Sequence, residues 1–198
     1  MRKFVLIAFV LLIGIQAKAQ VKVSPGLRGG LNVSTLTNID DNSSKTDFYV
    51  GGLVNIKFNK FFSVQPEINY SRQGDEGRYL ENGRYYSEKY ELNYITLGAV
   101  AKFNFGGGGF HLLAGPSLDL KVSDNYINTN PEDFDLAFVG GIGYTLPNGL
   151  TFEARLKQGL IDIYGYNGYD YDNNGYYYND VILNQVFQIG ISYTFKTK

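Results

Sequence analysis

Phe61-Phe62-Ser63-Val64-Gln65-Pro66-Glu67-Ile68-Asn69-Tyr70 is the stretch that decides the fold. From Phe62 onward, apolar or aromatic residues alternate with polar ones. A period of two is typical of a β-strand with unlike faces, whereas an α-helix would scatter both sets around its circumference. The polar face meets either bulk water, as in a soluble sandwich, or the interior of a barrel whose apolar face meets lipid.

The same alternation recurs on both sides of this stretch and predicts eight strands. They fall near residues 25–34, 48–58, 61–71, 95–104, 110–121, 136–144, 152–157 and 187–195. The long connections are residues 37–47, 72–91, 123–135 and 162–180, and between them lie short turns at residues 59–60, 106–109 and 147–149. Long and short connections thus alternate, which is typical of an antiparallel up-and-down barrel with all its long loops at one rim. A soluble lipocalin-like barrel has less reason to separate its loops in this way.

Composition narrows the class of protein. The 198 residues show no shift that would divide them into two domains, and they include 24 Gly, 17 Tyr and 14 Phe but no Cys. Disulfides, thiolate metal sites and cysteine nucleophiles are therefore excluded. Many aromatics with many glycines suit strands joined by tight turns, and in membrane barrels the aromatics line both interfaces. A Tyr-rich secreted β-protein is the alternative.

The first 19 residues have the pattern of a signal peptide. A basic start, Met1-Arg2-Lys3, precedes an apolar run from Phe4 to Ile15 and the small-x-small sequence Ala17-Lys18-Ala19. The sequence therefore predicts a signal peptide over 1–19 and one barrel domain over 20–198. Without the three basic residues of the leader, 15 basic residues stand against 19 acidic ones. This mild negative charge argues against nucleic acid as a partner.

The two faces of the strands differ in charge, and a soluble barrel would place the charged face outside, whereas a membrane barrel places it inside. The signal peptide, the loop asymmetry and the strand length of about ten residues favour the membrane arrangement. The apolar faces carry no charge, and a charge facing lipid would cost about 2–4 kcal/mol near the bilayer midplane. The opposite faces supply a predicted charge cluster in the barrel interior, where opposite charges would pair and fill the space. It comprises Lys57, Glu67, Lys102, Asp119, Glu153, Arg155 and Lys157. We therefore expect no wide diffusion pore.

Four segments carry a family resemblance: residues 63–70, Leu112-Leu113-Ala114-Gly115-Pro116-Ser117-Leu118, Gly140-Gly141-Ile142-Gly143-Tyr144 and Glu153-Ala154-Arg155. They resemble the small outer-membrane β-barrel proteins of the porin-family or PorT-like type, over about residues 26–195. The resemblance implies an eight-stranded transmembrane barrel in the outer membrane of a Gram-negative bacterium. It implies no shared catalytic residues. Lipid and the barrel-assembly machinery would be its partners.

The only histidine, His111, gives little support for catalysis. Asp119 lies eight residues further along the same predicted strand, too far for contact at about 3.3 Å per residue. A histidine near the turn rim is the plainer interpretation. We predict no enzyme, no cofactor and no metal site.

The last long connection, rich in Tyr, Gly and Asn, is a candidate contact surface. Its predicted contact residues are Tyr166, Tyr169, Asp170, Tyr171, Asp172 and Tyr176. Tyr supplies rigid amphipathic contact area, although a Tyr-rich interfacial rim is the simpler interpretation. Asp170, Asp172, Asn174 and Gly175 match the start of an EF-hand loop, but Val181 stands where the bidentate Glu belongs, so calcium is a weak hypothesis.

Three functions remain open at this point. The first is a structural or interaction barrel whose long loops contact a surface ligand or sugar. The second is a narrow porin-like channel for small solutes. An outer-membrane enzyme is the least supported of the three.

Overall fold

Eight antiparallel strands form a closed barrel in the computed structural model. It describes residues 21–38, 42–81, 84–106, 109–126, 130–163, 170–171, 177–178 and 181–195. The barrel strands are β1 (Lys22–Leu36), β2 (Asn42–Lys57), β3 (Phe62–Glu81), β4 (Arg84–Asn104), β5 (Phe110–Asp124), β6 (Phe134–Thr145), β7 (Leu150–Gly159) and β10 (Asn184–Thr194). The two-residue strands β8 (Asp170–Tyr171) and β9 (Tyr177–Tyr178) pair only with each other.

Each barrel strand pairs with its neighbours along the chain, and β1 pairs with β10 to close the ring. The predicted all-β, eight-stranded up-and-down barrel is therefore confirmed. No helix in the described part of the chain is both long enough and apolar enough to cross a membrane.

The polar face of each strand points into the barrel. On β3 the side chains of Gln65, Glu67 and Asn69 are buried, whereas Ile68, between two of them, is 54 % exposed. The other strands follow the same alternation, so a belt of exposed apolar side chains encircles the barrel. It includes Leu27, Leu31, Val50, Phe103, Leu112, Phe138, Ile142, Phe152, Leu156, Ile189 and Ile191. This arrangement is that of a barrel whose outer wall meets lipid.

Local chemistry fixes the tight turns. Asn59 accepts the backbone N–H groups of Phe61 and Phe62 with its side-chain oxygen, at 2.8 and 2.9 Å, and so closes the turn between β2 and β3. Gly149 ends the turn between β6 and β7 with φ +96°, a value that side chains disfavour. These two turns lie where the sequence predicts them.

The predicted long connections are partly wrong, because all four contain strand residues, although 123–135 includes only the last two residues of β5 and the first two of β6. Residues 72–91, taken as a loop, are mostly the outer ends of β3 and β4, which pair continuously as far as Glu81 and Arg84. Strand β2 begins at Asn42, inside the predicted loop 37–47, and residues 162–180 contain β8 and β9. These segments are predicted as loops because they contain many charged residues. Two paired strands that project into solvent need no apolar face, so charged residues do not exclude strand there.

Candidate functional site

Five alternating charges form a continuous chain across the barrel interior. The Lys102 ammonium lies 2.6 Å from one oxygen of Glu153, and Arg155 lies 2.6 Å from the other. Arg155 also forms a two-point contact with Glu67, at 2.8 and 2.9 Å, and Glu67 in turn contacts Arg28. All five residues are at least 93 % buried. Each carboxylate lies between two cations, which is how buried charges are accommodated at low cost.

A second polar layer lies nearer the long connections. Lys157 forms an ion pair with Asp119, whose carboxylate also accepts a 3.2 Å hydrogen bond from Gln73. The Gln73 oxygen accepts a hydrogen bond from Asn184 on β10. These bonds connect strands that are two or three positions apart in the ring, so the interior is cross-braced as well as filled.

Little free space remains beside these layers. A cavity of about 20 Å³ lies among Arg28, Thr96, Ser117 and Arg155. Such a cavity holds about one water molecule. The arrangement is that of a small barrel packed with side chains.

An apolar cluster closes the barrel at the end with the long connections, here called the loop-side mouth. Leu36, Leu92, Tyr94 and Ile163 pack together there, and none is more than 2 % exposed. The sequence prediction missed this cluster because Leu36 and Ile163 lie at the borders of polar segments. Their contacts become visible only when the strands are placed around the ring.

The opposite end, here called the turn-side mouth, opens into a polar cavity of about 460 Å³. Lys57, Gln65, Lys102, Asn104 and His111 are among the residues that line it. The two mouths of the barrel therefore have opposite character.

The seven residues of the predicted interior charge cluster do not all share one environment. Six of them are buried and paired: Glu67, Lys102, Asp119, Glu153, Arg155 and Lys157. Lys57 is different, since it lies exposed at the end of β2 and lines the turn-side mouth. The cluster also includes Arg28, which the prediction left out although its alternation with Leu27 was a sufficient signal.

His111 lies in the wall of the turn-side cavity and is 1 % exposed. Its Nε2 atom is 3.5 Å from the Glu153 carboxylate, and its Nδ1 atom is 3.1 Å from the carbonyl oxygen of Gly109. The partner of His111 is thus a residue of β7, which sequence spacing could not reveal.

Most of the predicted contact surface in the last connection lies outside the described residues. Tyr166, Tyr169, Asp172 and Tyr176 belong to that part, as do Asn174 and Gly175 of the partial EF-hand match. Asp170 and Tyr171 form β8, which pairs with β9. Within the described residues no three His, Cys, Asp or Glu side chains are grouped as a metal site would require.

The outer ends of β2, β3 and β4 form a three-stranded sheet that projects beyond the apolar belt. Asn42 of β2 pairs with Gly77 of β3, and β3 pairs with β4 to the tip. At its base Arg72 lies 2.6 Å from Glu91 and 3.4 Å from Asp47. Partial burial lowers the pKa of Arg72, but these two carboxylates raise it by more, so its pKa lies above the usual value. This charged base marks the upper limit of the belt.

Among the described residues, one edge of the projecting sheet is open. Pairing of β4 with β5 begins only at Leu92, and from Glu91 to the tip no described strand lies beside β4. Asn125 covers the first part, since its side chain accepts the N–H of Glu91 and donates to the carbonyl oxygen of Lys89. Backbone direction alternates along a strand, so the N–H of Ser87 also points outward at this edge.

Comparison of the sequence with protein families gives a match. Residues 16–165 match the family described as outer membrane protein beta-barrel domain. This confirms the predicted resemblance to outer-membrane β-barrel proteins, whereas the narrower PorT-like resemblance stays a prediction. No curated protein matches the sequence.

Several solved structures are similar to the chain at low identity. Neisserial surface protein A (NspA) is 12 % identical with a TM-score of 0.51, and the match covers 87 % of this chain and 97 % of NspA. OprG from Pseudomonas aeruginosa is 12 % identical with a TM-score of 0.48, covering 89 % and 98 % of the two chains. Ail from Yersinia pestis, solved with the heparin analogue sucrose octasulfate, is 13 % identical with a TM-score of 0.47, covering 88 % and 99 %. The likeness to NspA supports the fold.

Proposed function

The chain belongs to the family of outer membrane protein β-barrel domains, and on that premise we propose that it is a non-enzymatic surface-interaction protein. The family implies a location in a bacterial outer membrane. The barrel then acts as an anchor, and the projecting sheet meets the partner outside the cell. A leader over residues 1–19 is part of this proposal.

The observation that carries the proposal is the open edge of β4. An exposed edge offers unpaired backbone N–H and C=O groups that an extended segment of another chain can join as an extra strand. The edge is held in an extended conformation, because β4 pairs along its full outer length with β3. The proposed partner is therefore a protein with an extended segment. This proposal replaces the surface ligand or sugar that the sequence also allows.

Ser87 allows this edge to be tested without disturbing the sheet. Proline is tolerated at an edge position whose N–H faces solvent, but it removes the donor that a docking strand needs. The probe is a displayed library of random peptides, selected on the wild-type protein. Binding should weaken about tenfold in Ser87→Pro, the loss expected when one hydrogen bond fails and a partner group is left unpaired.

Ser87→Ala is the matched control, because it removes the hydroxyl that contacts Glu76 and keeps the backbone N–H. It should bind the selected peptides as the wild type does. Peptides that bind Ser87→Pro with undiminished affinity would show that the edge is not the docking surface.

A narrow channel for small solutes is the second candidate function. The turn-side cavity favours it, since about 460 Å³ of polar space leads toward the charge chain. The packed interior and the apolar cluster at the loop-side mouth argue against a channel, because they leave little space for a continuous path through the barrel. We expect no single-channel current steps from the wild-type protein in planar bilayers, and regular steps would favour the channel.

A further inference from the structure

Two lysines face the turn-side cavity from strands that flank β3. Lys57 on β2 stands opposite Ser63, and Ser63 stands opposite Lys102 on β4. All three line the cavity. Neighbouring strands lie about 4.8 Å apart, so the two lysine backbones are separated by about 10 Å. Both side chains are long enough to reach a common point above Ser63.

Neither ammonium is fully used by the protein's own carboxylates. Lys102 binds one oxygen of Glu153, and an ammonium has three N–H donors. Lys57 lies exposed at the lip of the cavity. No Asp or Glu belongs to the described residues that line this cavity. Two like charges that share a concave space attract a mobile counter-charge.

The charges behind the cavity also favour the binding of an anion. In the described part of the chain, the charge chain and the lip of the turn-side mouth together contain four cations and two carboxylates. The cations are Arg28, Lys57, Lys102 and Arg155, and the carboxylates are Glu67 and Glu153. The low-dielectric wall of a barrel focuses such an excess toward the open end.

Neutral donors complete the lining. Asn55 donates a 3.4 Å hydrogen bond to the Ser63 hydroxyl oxygen, which leaves the hydroxyl proton of Ser63 as a donor. Thr145 and Thr151 share a hydrogen bond of 2.9 Å on the far wall. Ammonium and hydroxyl donors around a cavity of this size are suited to carboxylate or phosphate oxygens.

We propose that the turn-side cavity is a binding site for a small anion that carries carboxylate or phosphate oxygens, held between Lys57 and Lys102. The site faces the compartment beneath the membrane, so it is independent of the projecting sheet. The anion is either a free solute or the headgroup of a lipid at the barrel rim. Both sources present the same oxygens.

The test is calorimetric titration of the purified barrel, in a neutral detergent without phosphate and at constant ionic strength, with inorganic phosphate. The wild type should bind saturably. Lys57→Ala should bind about tenfold more weakly, because one charge-assisted hydrogen bond is lost, and Lys57→Glu should not bind. Lys57 is exposed, so these variants are expected to fold, and heat-modifiable gel mobility checks that they do.

Lys60→Ala is the matched control, since Lys60 lies in the adjacent turn against Phe61 and does not line the cavity. Equal affinities for Lys57→Ala and Lys60→Ala would overturn the proposal, as would the absence of saturable heat in the wild type. A parallel titration with a short-chain phosphatidylglycerol identifies the source. Tighter binding of that lipid, lost in Lys57→Glu, indicates a headgroup, and tighter binding of inorganic phosphate indicates a free solute.

Discussion

The two mouths of the barrel differ in the forces that act there, since one is closed by apolar packing and the other opens into a polar cavity. At the loop-side mouth, Leu36, Leu92 and Ile163 exclude water by packing. At the turn-side mouth the wall is polar and a cavity reaches inward as far as Lys102. One strand pattern produces both ends, because the inward positions change from polar to apolar along the barrel axis. The difference shows that a single barrel can be a plug toward one side of a membrane and a receptacle toward the other.

Chemical accessibility is the most direct test of the difference between the two mouths. The chain has no Cys, so single cysteines can be introduced without background. In folded protein, Asn104→Cys in the turn-side cavity should react completely with a water-soluble maleimide, and Leu36→Cys in the apolar cluster should not react. Mass spectrometry measures both. Equal labelling would mean that the mouths do not differ, and unfolding in denaturant should make Leu36→Cys reactive.

The next largest effect is expected from a substitution in the charge chain between the mouths. Glu67→Ala leaves Arg28 and Arg155 without their shared carboxylate, and loss of one partner from a buried ion pair costs about 3–5 kcal/mol. Urea unfolding in detergent measures the change in the free energy of unfolding, and heat-modifiable mobility reports whether the barrel assembles. Glu88→Ala on the exposed hairpin is the control and should change stability by less than about 0.5 kcal/mol. Similar changes in the free energy of unfolding for both variants would show that the charge chain has no structural role.

At the loop-side mouth, Leu92→Ala should lower the free energy of unfolding by about 3 kcal/mol. Leu92 is fully buried in the apolar cluster, and truncation removes apolar contacts and leaves a cavity. The same urea titration applies. A loss below about 1 kcal/mol, the size of an average substitution, would contradict a packed closure.

At the turn-side mouth, Thr145→Ala should have the smallest effect, about 0.5–1 kcal/mol. It removes one hydrogen bond, to Thr151, beside a cavity that solvent can enter. Thr145→Ser keeps the hydroxyl and should unfold as the wild type does. If Thr145→Ala lowered the free energy of unfolding as much as Leu92→Ala does, the two mouths would not differ in energetics.

Much of the barrel could be predicted because strand alternation is local. The polar and apolar faces of residues 62–70 are correct position by position, since neighbouring Cβ atoms of a strand point to opposite sides. The inward direction of Glu67 and Arg155 follows from the same rule. Tight turns such as Asn59-Lys60 are also local, because their hydrogen bonds join residues two or three positions apart.

The features that the sequence did not reveal depend on distant strands. Contact between His111 and Glu153 requires the register of β5, β6 and β7 together. The length of the β3–β4 hairpin was missed because its outer part lacks an apolar face. Lys57 follows the inward alternation, yet its position at the end of β2 exposes it, and only the turn geometry decides where that end lies.

The seam between β1 and β10 has a consequence for the time course of folding. Its 11 pairs join residues that are 148 to 168 positions apart, from Leu36–Asn184 to Gly26–Thr194. Contacts of such long range are slow to form, because the entropy of closing the loop is lost before the contacts stabilise it. Until the seam closes, β1 and β10 both present bare edges that can join a neighbouring chain. Ring closure is thus the step at which productive folding competes with aggregation.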